Sequence, residues 1–198
     1  MGNYKEIDGD LIEMFKKGEF DVIAHGCNCY ATMGAGIALT IGNEFPEAKA
    51  ADEDLEIPNG IKRLGKLSYT VIDNISCSYG NSLLFNLYTQ YNPGRDFRVN
   101  AFIKAIRAMR KVIKSEFSHT EDGLKIGLPL IGCGIAGGDW KEVSEIIKVE
   151  LAEFDVTIVH FKQKVIGVNY FPARKSSRPK VNWADLSDDE FERMLKEM

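Results

Sequence analysis

Residues 124–140 read Leu124-Lys-Ile-Gly-Leu-Pro-Leu-Ile-Gly-Cys-Gly-Ile-Ala-Gly-Gly-Asp-Trp140, and this stretch decides the fold. Its apolar start, Leu124 to Pro129, predicts a strand, and a glycine-rich loop then leads into a predicted helix. The order is repeated earlier in the chain, where the buried strand Asp21–His25 leads through small residues to a helix predicted over Gly34–Ile41. In open α/β sheets ligands bind beyond the carboxyl ends of the strands, so both loops are candidate binding elements.

Helices and strands alternate along the rest of the chain. The clearest amphipathic helix runs from Arg98 to Ser115, where apolar residues recur every three or four positions. This alternation favours a mainly parallel or mixed sheet between layers of helices. The further predicted helices are Asp10–Lys17, Pro46–Ala51 and Trp140–Leu151, and the further strands are Lys66–Ile72, Ser82–Thr89 and Val156–Phe161.

Composition excludes several classes of protein. The 198 residues are 44% hydrophobic and 27% charged, which is typical of a globular domain. A net charge of -4 argues against nucleic acid as a partner, and no apolar run approaches the ~20 residues that span a bilayer. The N-terminus lacks the pattern of a signal peptide, so we expect a cytoplasmic, intracellular protein that is not secreted.

The cluster His25-Gly-Cys-Asn-Cys29 could suggest a metal site, but zinc sites usually add a second, distant pair of ligands, and the sequence has none. We therefore expect no metal and four reduced cysteines. Among nucleotide motifs, only Gly132-x-Gly134-x-x-Gly137 matches the dinucleotide fingerprint, and no acidic ribose-binding residue follows it at ~20 positions. A P-loop is absent from the sequence.

The tail differs in character from the rest of the chain. We assign residues 1–164 to one domain and residues 165–198 to a linker and a short helix. The segment Arg174–Lys180 is basic and rich in proline and serine, and Ser187 to Glu190 form a capping box that opens a helix. This helix could dock on its own domain or bind a partner.

Several blocks of sequence together resemble the macro domain family. They cover residues 5–161 in order, and within the family they are most similar to the branch of ADP-ribose 1''-phosphate phosphatases and terminal ADP-ribose protein glycohydrolases. The resemblance implies a three-layer α/β/α sandwich with a mixed, mostly parallel central sheet, a monomer, and ADP-ribose as ligand without a cofactor. The blocks are Gly9-Asp-Leu11, Val22-Ile-Ala-His-Gly-Cys-Asn28, Met33-Gly-Ala-Gly-Ile-Ala38, Phe45-Pro46, Asn86-Leu-Tyr-Thr-Gln90 and Leu128 to Trp140.

The resemblance also implies a set of ligand-binding residues. Asp10 would accept a hydrogen bond from the adenine amino group, although an aspartate there could equally cap the following helix. Phe161 would stack on adenine, or it could belong to the core. The full set is Asp10, Leu11, Gly34, Ala35, Gly36, Ile37, Gln90, Ile131, Gly132, Cys133, Gly134, Ile135, Ala136, Gly137 and Phe161.

Three residues are candidates for catalysis. Asn28 matches the asparagine that holds the distal ribose in the family. His25 could donate a proton or bind a terminal phosphate, or it could be a structural histidine. Asp139 could orient or deprotonate a water, or it could cap the helix at Trp140.

The chain departs from the glycohydrolase pattern, which has an aspartate at Ala136 and a lysine at Val71 or a neighbour. This departure favours hydrolysis of ADP-ribose 1''-phosphate by an activated water. The alternatives are removal of mono-ADP-ribose from modified protein carboxylates, and a non-catalytic ADP-ribose reader.

Overall fold

A mixed sheet of six strands forms the centre of the computed structural model, which describes residues 2–77, 80–118 and 123–161. The strand order is β1-β6-β5-β2-β4-β3, and β3 is antiparallel to β4 whereas the other neighbours are parallel. The strands are β1 (Tyr4–Asp8), β2 (Val22–Asn28), β3 (Leu67–Cys77), β4 (Gly80–Gln90), β5 (Lys125–Leu128) and β6 (Asp155–His160).

Helices cover both faces of this sheet. They are α1 (Leu11–Lys16), α2 (Gly36–Glu44), α3 (Pro46–Glu53), α4 (Val99–Glu116) and α5 (Trp140–Glu150), with a 3-10 turn at Ile61–Arg63. One core joins the sheet to α4 and α5 through residues such as Phe102 and Val143, and the other joins it to α1, α2 and α3 through Phe15, Ile41 and Ala48. The three-layer sandwich with a mixed, mostly parallel sheet is therefore confirmed.

The amphipathic helix is confirmed as α4. Its apolar stripe, which includes Phe102, Ile106 and Met109, is fully buried against the sheet. On the outer side, Arg110 and Lys114 pair with Glu153 beyond α5. Burial of such side chains contributes roughly 1.5–3 kcal/mol each, so α4 anchors this face of the sheet.

Strand β1 was missed in the sequence. Only Tyr4 and Ile7 are half-buried, the charged residues Lys5, Glu6 and Asp8 are exposed, and the strand pairs in parallel with β6. Charged side chains are usual on an edge strand because they discourage pairing with another chain, and they also hide the apolar run that identifies a buried strand.

The chain divides into two units, Met1–Phe161 and Lys162–Met198. The second unit, including the helix predicted from Ser187, lies outside the described residues. In the described ranges, no helix is both long and apolar enough to cross a membrane.

Candidate functional site

Two loops meet at the carboxyl ends of β2 and β5. The first loop (residues 29–35) joins β2 to α2, and the second loop (residues 129–139) joins β5 to α5. Because β2 and β5 are parallel neighbours, their loops leave the same edge of the sheet side by side. A Cβ placed on Gly36 would lie 3.9 Å from Cδ1 of Ile135, so the start of α2 is next to the second loop. The structure thus brings together the predicted residues 34–37 and 131–137.

The first loop is shaped by the side chain of Asn28. Its Oδ1 accepts a hydrogen bond from the backbone nitrogen of Tyr30 at 2.8 Å, and its Nδ2 donates to Oγ1 of Thr32 at 2.8 Å. The loop then leads into α2, and the N-cap residue Ala35 has no side chain that could accept a hydrogen bond from the helix. The first backbone N–H groups of α2 are consequently available to an anionic ligand.

The second loop packs on the segment that follows β4. The backbone nitrogen of Phe97 donates to the Ala136 carbonyl at 3.1 Å. A Cβ on Gly132 would overlap the Phe97 ring, and one on Gly138 would lie 2.7 Å from Cδ1 of the same ring. A Cβ on Gly137 would lie 2.7 Å from Cγ of Arg95, and its φ of 78° itself favours glycine, so the protein's own fold accounts for three of the glycines in this loop.

Gly34 in the first loop and Gly134 in the second loop have open space where a side chain would be. A Cβ on Gly34 or Gly134 would meet nothing within 4 Å, and neither residue has a positive φ. The protein's own packing therefore does not require glycine at either position. Open space above a loop backbone lets a ligand approach the backbone closely, which is a second reason for glycine at a binding site.

Asp10 and Asp139 both cap helices. Oδ1 of Asp10 accepts from the backbone nitrogens of Ile12 at 3.0 Å and Glu13 at 3.2 Å, and Oδ1 of Asp139 accepts from that of Lys141 at 2.9 Å. Within the described part of the chain, Oδ2 of each carboxylate has no hydrogen-bond partner. The capping interpretation is confirmed for both residues, and one oxygen of each remains available to a ligand or a water.

The other residues predicted to bind the ligand differ in how far their side chains are exposed. Leu11 and Ile131 are buried, so only their backbone could contact a ligand. Gln90 donates to the Asn92 carbonyl at 3.0 Å and holds the segment after β4. The Cys133 thiol donates to the Ile131 carbonyl, and burial raises its pKa to about 11. Phe161 is 64% exposed beyond the end of β6, so its assignment to the core is wrong.

The chain is similar to curated proteins along most of the described fold. It is 30% identical over 158 residues to an uncharacterized 17.5 kDa protein of enterobacteria phage T4, covering 80% of the chain and 96% of that protein. It is 25% identical to an ADP-ribose 1''-phosphate phosphatase of Lodderomyces elongisporus, covering 78% of the chain and 98% of that enzyme. No protein-family model matches the chain.

Solved structures share the fold. The macrodomain of Mycobacterium tuberculosis DarG matches with a TM-score of 0.59 at 20% identity, covering 80% of the chain and 98% of that protein. Thermosipho africanus DarTG in complex with ADP-ribose matches with a TM-score of 0.63 at 17% identity, covering 84% of the chain and 44% of that protein. The chain belongs to the macro domain family.

In this macro domain, His25 lies beneath the protein surface. It is 0% exposed on β2, and its Nε2 donates to Oδ1 of Asn86 on β4 at 2.7 Å, because the Asn86 amide nitrogen donates elsewhere. Burial lowers the pKa of His25 to about 4, against the opposing effect of the Asn86 hydrogen bond. His25 is therefore neutral at pH 7 and hydrogen-bonded within the sheet.

His25 is one end of a buried polar network that the sequence did not indicate. Asn86 donates to Oγ of Ser68 at 3.0 Å, Ser68 and Tyr88 share a hydrogen bond of 3.1 Å, and Tyr88 donates to Oδ1 of Asp52 at 2.8 Å. The network ends in an ion pair, in which a guanidinium nitrogen of Arg63 lies 3.3 Å from Oδ1 of Asp52. Both side chains are only 2% exposed. The only local signal is the spacing of Asn86 and Tyr88, two residues apart on an apolar strand.

The network joins the sheet to α3 beneath the first loop. Arg63 also donates to the backbone carbonyls of Asp52 and Ile57, and Gly60 donates to the Cys29 carbonyl at 2.8 Å. Burial raises the pKa of Asp52, while Tyr88 and Arg63 oppose that shift. In the described ranges, no group of three or more His, Cys, Asp or Glu side chains is arranged to hold a metal ion.

Proposed function

We propose that the macro domain binds ADP-ribose across the two loops and hydrolyses ADP-ribose 1''-phosphate to ADP-ribose and phosphate. The observation that carries the proposal is the meeting of the first and second loops at the ends of β2 and β5, with open space above Gly34 and Gly134. It is supported by relatives that are named ADP-ribose 1''-phosphate phosphatase, and by the DarTG structure in complex with ADP-ribose.

The sheet order suggests how the ligand would lie. Asp10 and Phe161 follow β1 and β6 at one side of the sheet, so the adenine would lie there. The pyrophosphate would lie between the two loops, on the free N–H groups of α2. Asn28 ends β2 next to β4, so the distal ribose and its phosphate would lie toward β4.

Hydrolysis would proceed by attack of a water on phosphorus. The water oxygen forms a new P–O bond and gives up a proton, the bond from phosphorus to the ribose oxygen breaks, and that oxygen takes a proton from solvent, so one water is consumed. Asp139 is exposed at the start of α5 with one free carboxylate oxygen, and it would orient or deprotonate the water. Phosphoryl transfer depends mainly on positioning and charge stabilisation, so it needs few side chains.

His25 has a supporting role in this proposal. A fully buried imidazole whose nitrogen donates to Asn86 holds β2 and β4 in register beneath the first loop. We assign the chemistry to Asp139 and the positioning of the first loop to His25 and Asn28.

The test compares two substrates and one ligand with the purified full chain. We expect ADP-ribose to bind in calorimetry and phosphate to be released from ADP-ribose 1''-phosphate. In parallel, mono-ADP-ribosylated protein is assayed for free ADP-ribose. Binding without either release would show a reader, release of ADP-ribose alone would show a de-ADP-ribosylase, and absence of binding would overturn the proposal.

Asp139→Asn separates catalysis from helix capping. Asparagine caps helices as well as aspartate does, so the free energy of unfolding should change little. Loss of the base should lower kcat for phosphate release by about 10²- to 10⁴-fold. Calorimetry should show ADP-ribose affinity within about twofold of wild type, because the carboxylate acts on the water. An unchanged kcat would remove Asp139 from the mechanism.

A further inference from the structure

Arg95 differs from the other arginines in the described part of the chain. It lies in the segment after β4, is exposed, and has no carboxylate partner there. Every other described arginine forms an ion pair with a carboxylate, and these pairs are Arg63–Asp52, Arg98–Asp96, Arg107–Glu150 and Arg110–Glu153. The positive charge of Arg95 is thus left uncompensated next to the candidate site.

The side chain of Arg95 lies against the backbone of the second loop. A Cβ on Gly137 would lie 2.7 Å from Cγ, 2.9 Å from Nε and 3.3 Å from Cδ of Arg95. Gly137 also has a φ of 78°, which an L side chain rarely adopts. Any other residue at position 137 would push Arg95 away from the loop.

The backbone around Arg95 is held in place on both sides. Oδ2 of Asp96 accepts from the backbone nitrogen of Asn92 at 3.0 Å, and Oδ1 accepts from Nε of Arg98 at 2.6 Å. Gln90 donates to the Asn92 carbonyl, and Phe97 donates to Ala136 in the second loop. The carboxylate nearest in sequence is therefore occupied, and the base of the Arg95 side chain is fixed before a ligand arrives.

We propose that Arg95 binds the terminal phosphate of ADP-ribose 1''-phosphate and makes the site prefer that ligand over ADP-ribose. The inference rests on the proposed function. Arg95 follows β4, on the side of β2 away from the adenine end, and its Nε lies against Gly137 of the second loop, so its guanidinium would be within reach of the distal phosphate. A guanidinium offers two parallel N–H donors to phosphate oxygens, which is the geometry that distinguishes a monoester from a hydroxyl.

The experiment compares how the wild type and three variants of the full chain use ADP-ribose 1''-phosphate and bind ADP-ribose. The variants are Arg95→Gln, Arg95→Lys, and Arg110→Gln as the control, which removes a charge on the outer side of α4. Phosphate release gives kcat/KM for ADP-ribose 1''-phosphate, and competitive inhibition by ADP-ribose gives the affinity without the terminal phosphate. If the wild type releases no phosphate, both ligands are titrated at equilibrium instead and the same ratio is obtained.

We expect Arg95→Gln to lower kcat/KM, or affinity, for ADP-ribose 1''-phosphate by about 10- to 100-fold, with ADP-ribose affinity changed less than about twofold. Arg95→Lys should restore part of the loss, and Arg110→Gln should match wild type. An equal loss for both ligands would place Arg95 on the pyrophosphate and overturn the proposal, as would no loss for either. A wild type that binds neither ligand would overturn the proposed function, and this inference with it.

Discussion

The first and second loops both lead into a pattern of Gly-x-Gly-Ile-Ala, at residues 34–38 and 132–136, but they are held in different ways. The second loop is held by close packing and backbone hydrogen bonds: Gly132, Gly137 and Gly138 leave room for Phe97 and Arg95, and Phe97 donates to the Ala136 carbonyl. The first loop is held by polar side chains: Asn28 bonds to Tyr30 and Thr32 within the loop, and the His25–Asn86 network lies beneath it. The second loop therefore depends on steric fit at its glycines, and the first on side-chain hydrogen bonds and the protonation state of His25.

The comparison also shows that glycines in a loop do not by themselves indicate a phosphate-binding site. Most glycines of the second loop are required by the protein's own packing, whereas Gly134 and Gly34 face open space. The ligand-binding role proposed for the loops thus rests on two glycines, one in each loop. Substitutions that separate packing from ligand access test this division.

The largest effect is expected for Gly132→Ala. The new methyl group would overlap the Phe97 ring at a φ of 73°, so the free energy of unfolding should fall by about 3 kcal/mol or more. Gly134→Ala is the matched control in the same loop, and its unfolding free energy should stay within about 0.5 kcal/mol of wild type. Denaturant titration measures both.

A second variant tests the cause of that effect. In a Phe97→Ala background the overlap is removed, so Gly132→Ala should cost clearly less than it does with Phe97 present. Equal costs in both backgrounds would show that the ring does not impose glycine at position 132. Equal stability of Gly132→Ala and Gly134→Ala would remove the contrast within the second loop.

The sequence predicted the architecture well because apolar periodicity reports which face of an element is buried. It predicted α4 to within a residue at each end, and it placed both loops at strand ends. The same signal missed β1, whose edge position favours charged residues. Periodicity could not show which glycines are required by packing, because Phe97 lies some 35 positions before Gly132 in the sequence and only the fold brings them together.

The site was harder to predict for the same reason. His25 is close in sequence to the first loop, and this proximity suggested a catalytic role. In the structure its partner is Asn86 on the adjacent strand, and the network continues to Asp52 and Arg63. Sequence spacing gives no information about such pairings between strands and helices, so the buried network is a finding of the structure alone.

The second prediction concerns pH and the support of the first loop. Burial lowers the pKa of His25 to about 4, whereas an unfolded histidine titrates near 6.5. Between about pH 6.5 and pH 4, His25 is protonated in the unfolded chain but stays neutral in the folded chain. The free energy of unfolding therefore decreases as the pH falls through this range. Between pH 7 and pH 5 the wild type should lose about 2 kcal/mol more than His25→Gln.

Denaturant titrations of wild type and His25→Gln at pH 7, 6 and 5 measure this difference, and subtraction removes the titration of the carboxylates that both proteins share. The gap between the two proteins should change steadily in favour of the variant as the pH falls. A constant gap would mean that His25 titrates normally in the folded protein. A direct NMR titration of the His25 ring would then give a pKa near 6.5.

The smallest effect in energy is expected at Gly34, and it separates ligand access from stability most sharply. A methyl group at position 34 meets no protein atom, so Gly34→Ala should leave the free energy of unfolding nearly unchanged. Because the methyl group would stand between the backbone and a bound pyrophosphate, ADP-ribose affinity should fall by about tenfold, as when one hydrogen bond to a charged group is lost.

The control is Gly42→Ala within α2, where a Cβ would lie 3.4 Å from Sδ of Met33 in ordinary contact. That variant should gain slightly in stability and bind ADP-ribose like wild type. If Gly34→Ala also binds like wild type, the open space above the first loop is not where the phosphates lie, and only the second loop would remain as the candidate phosphate site.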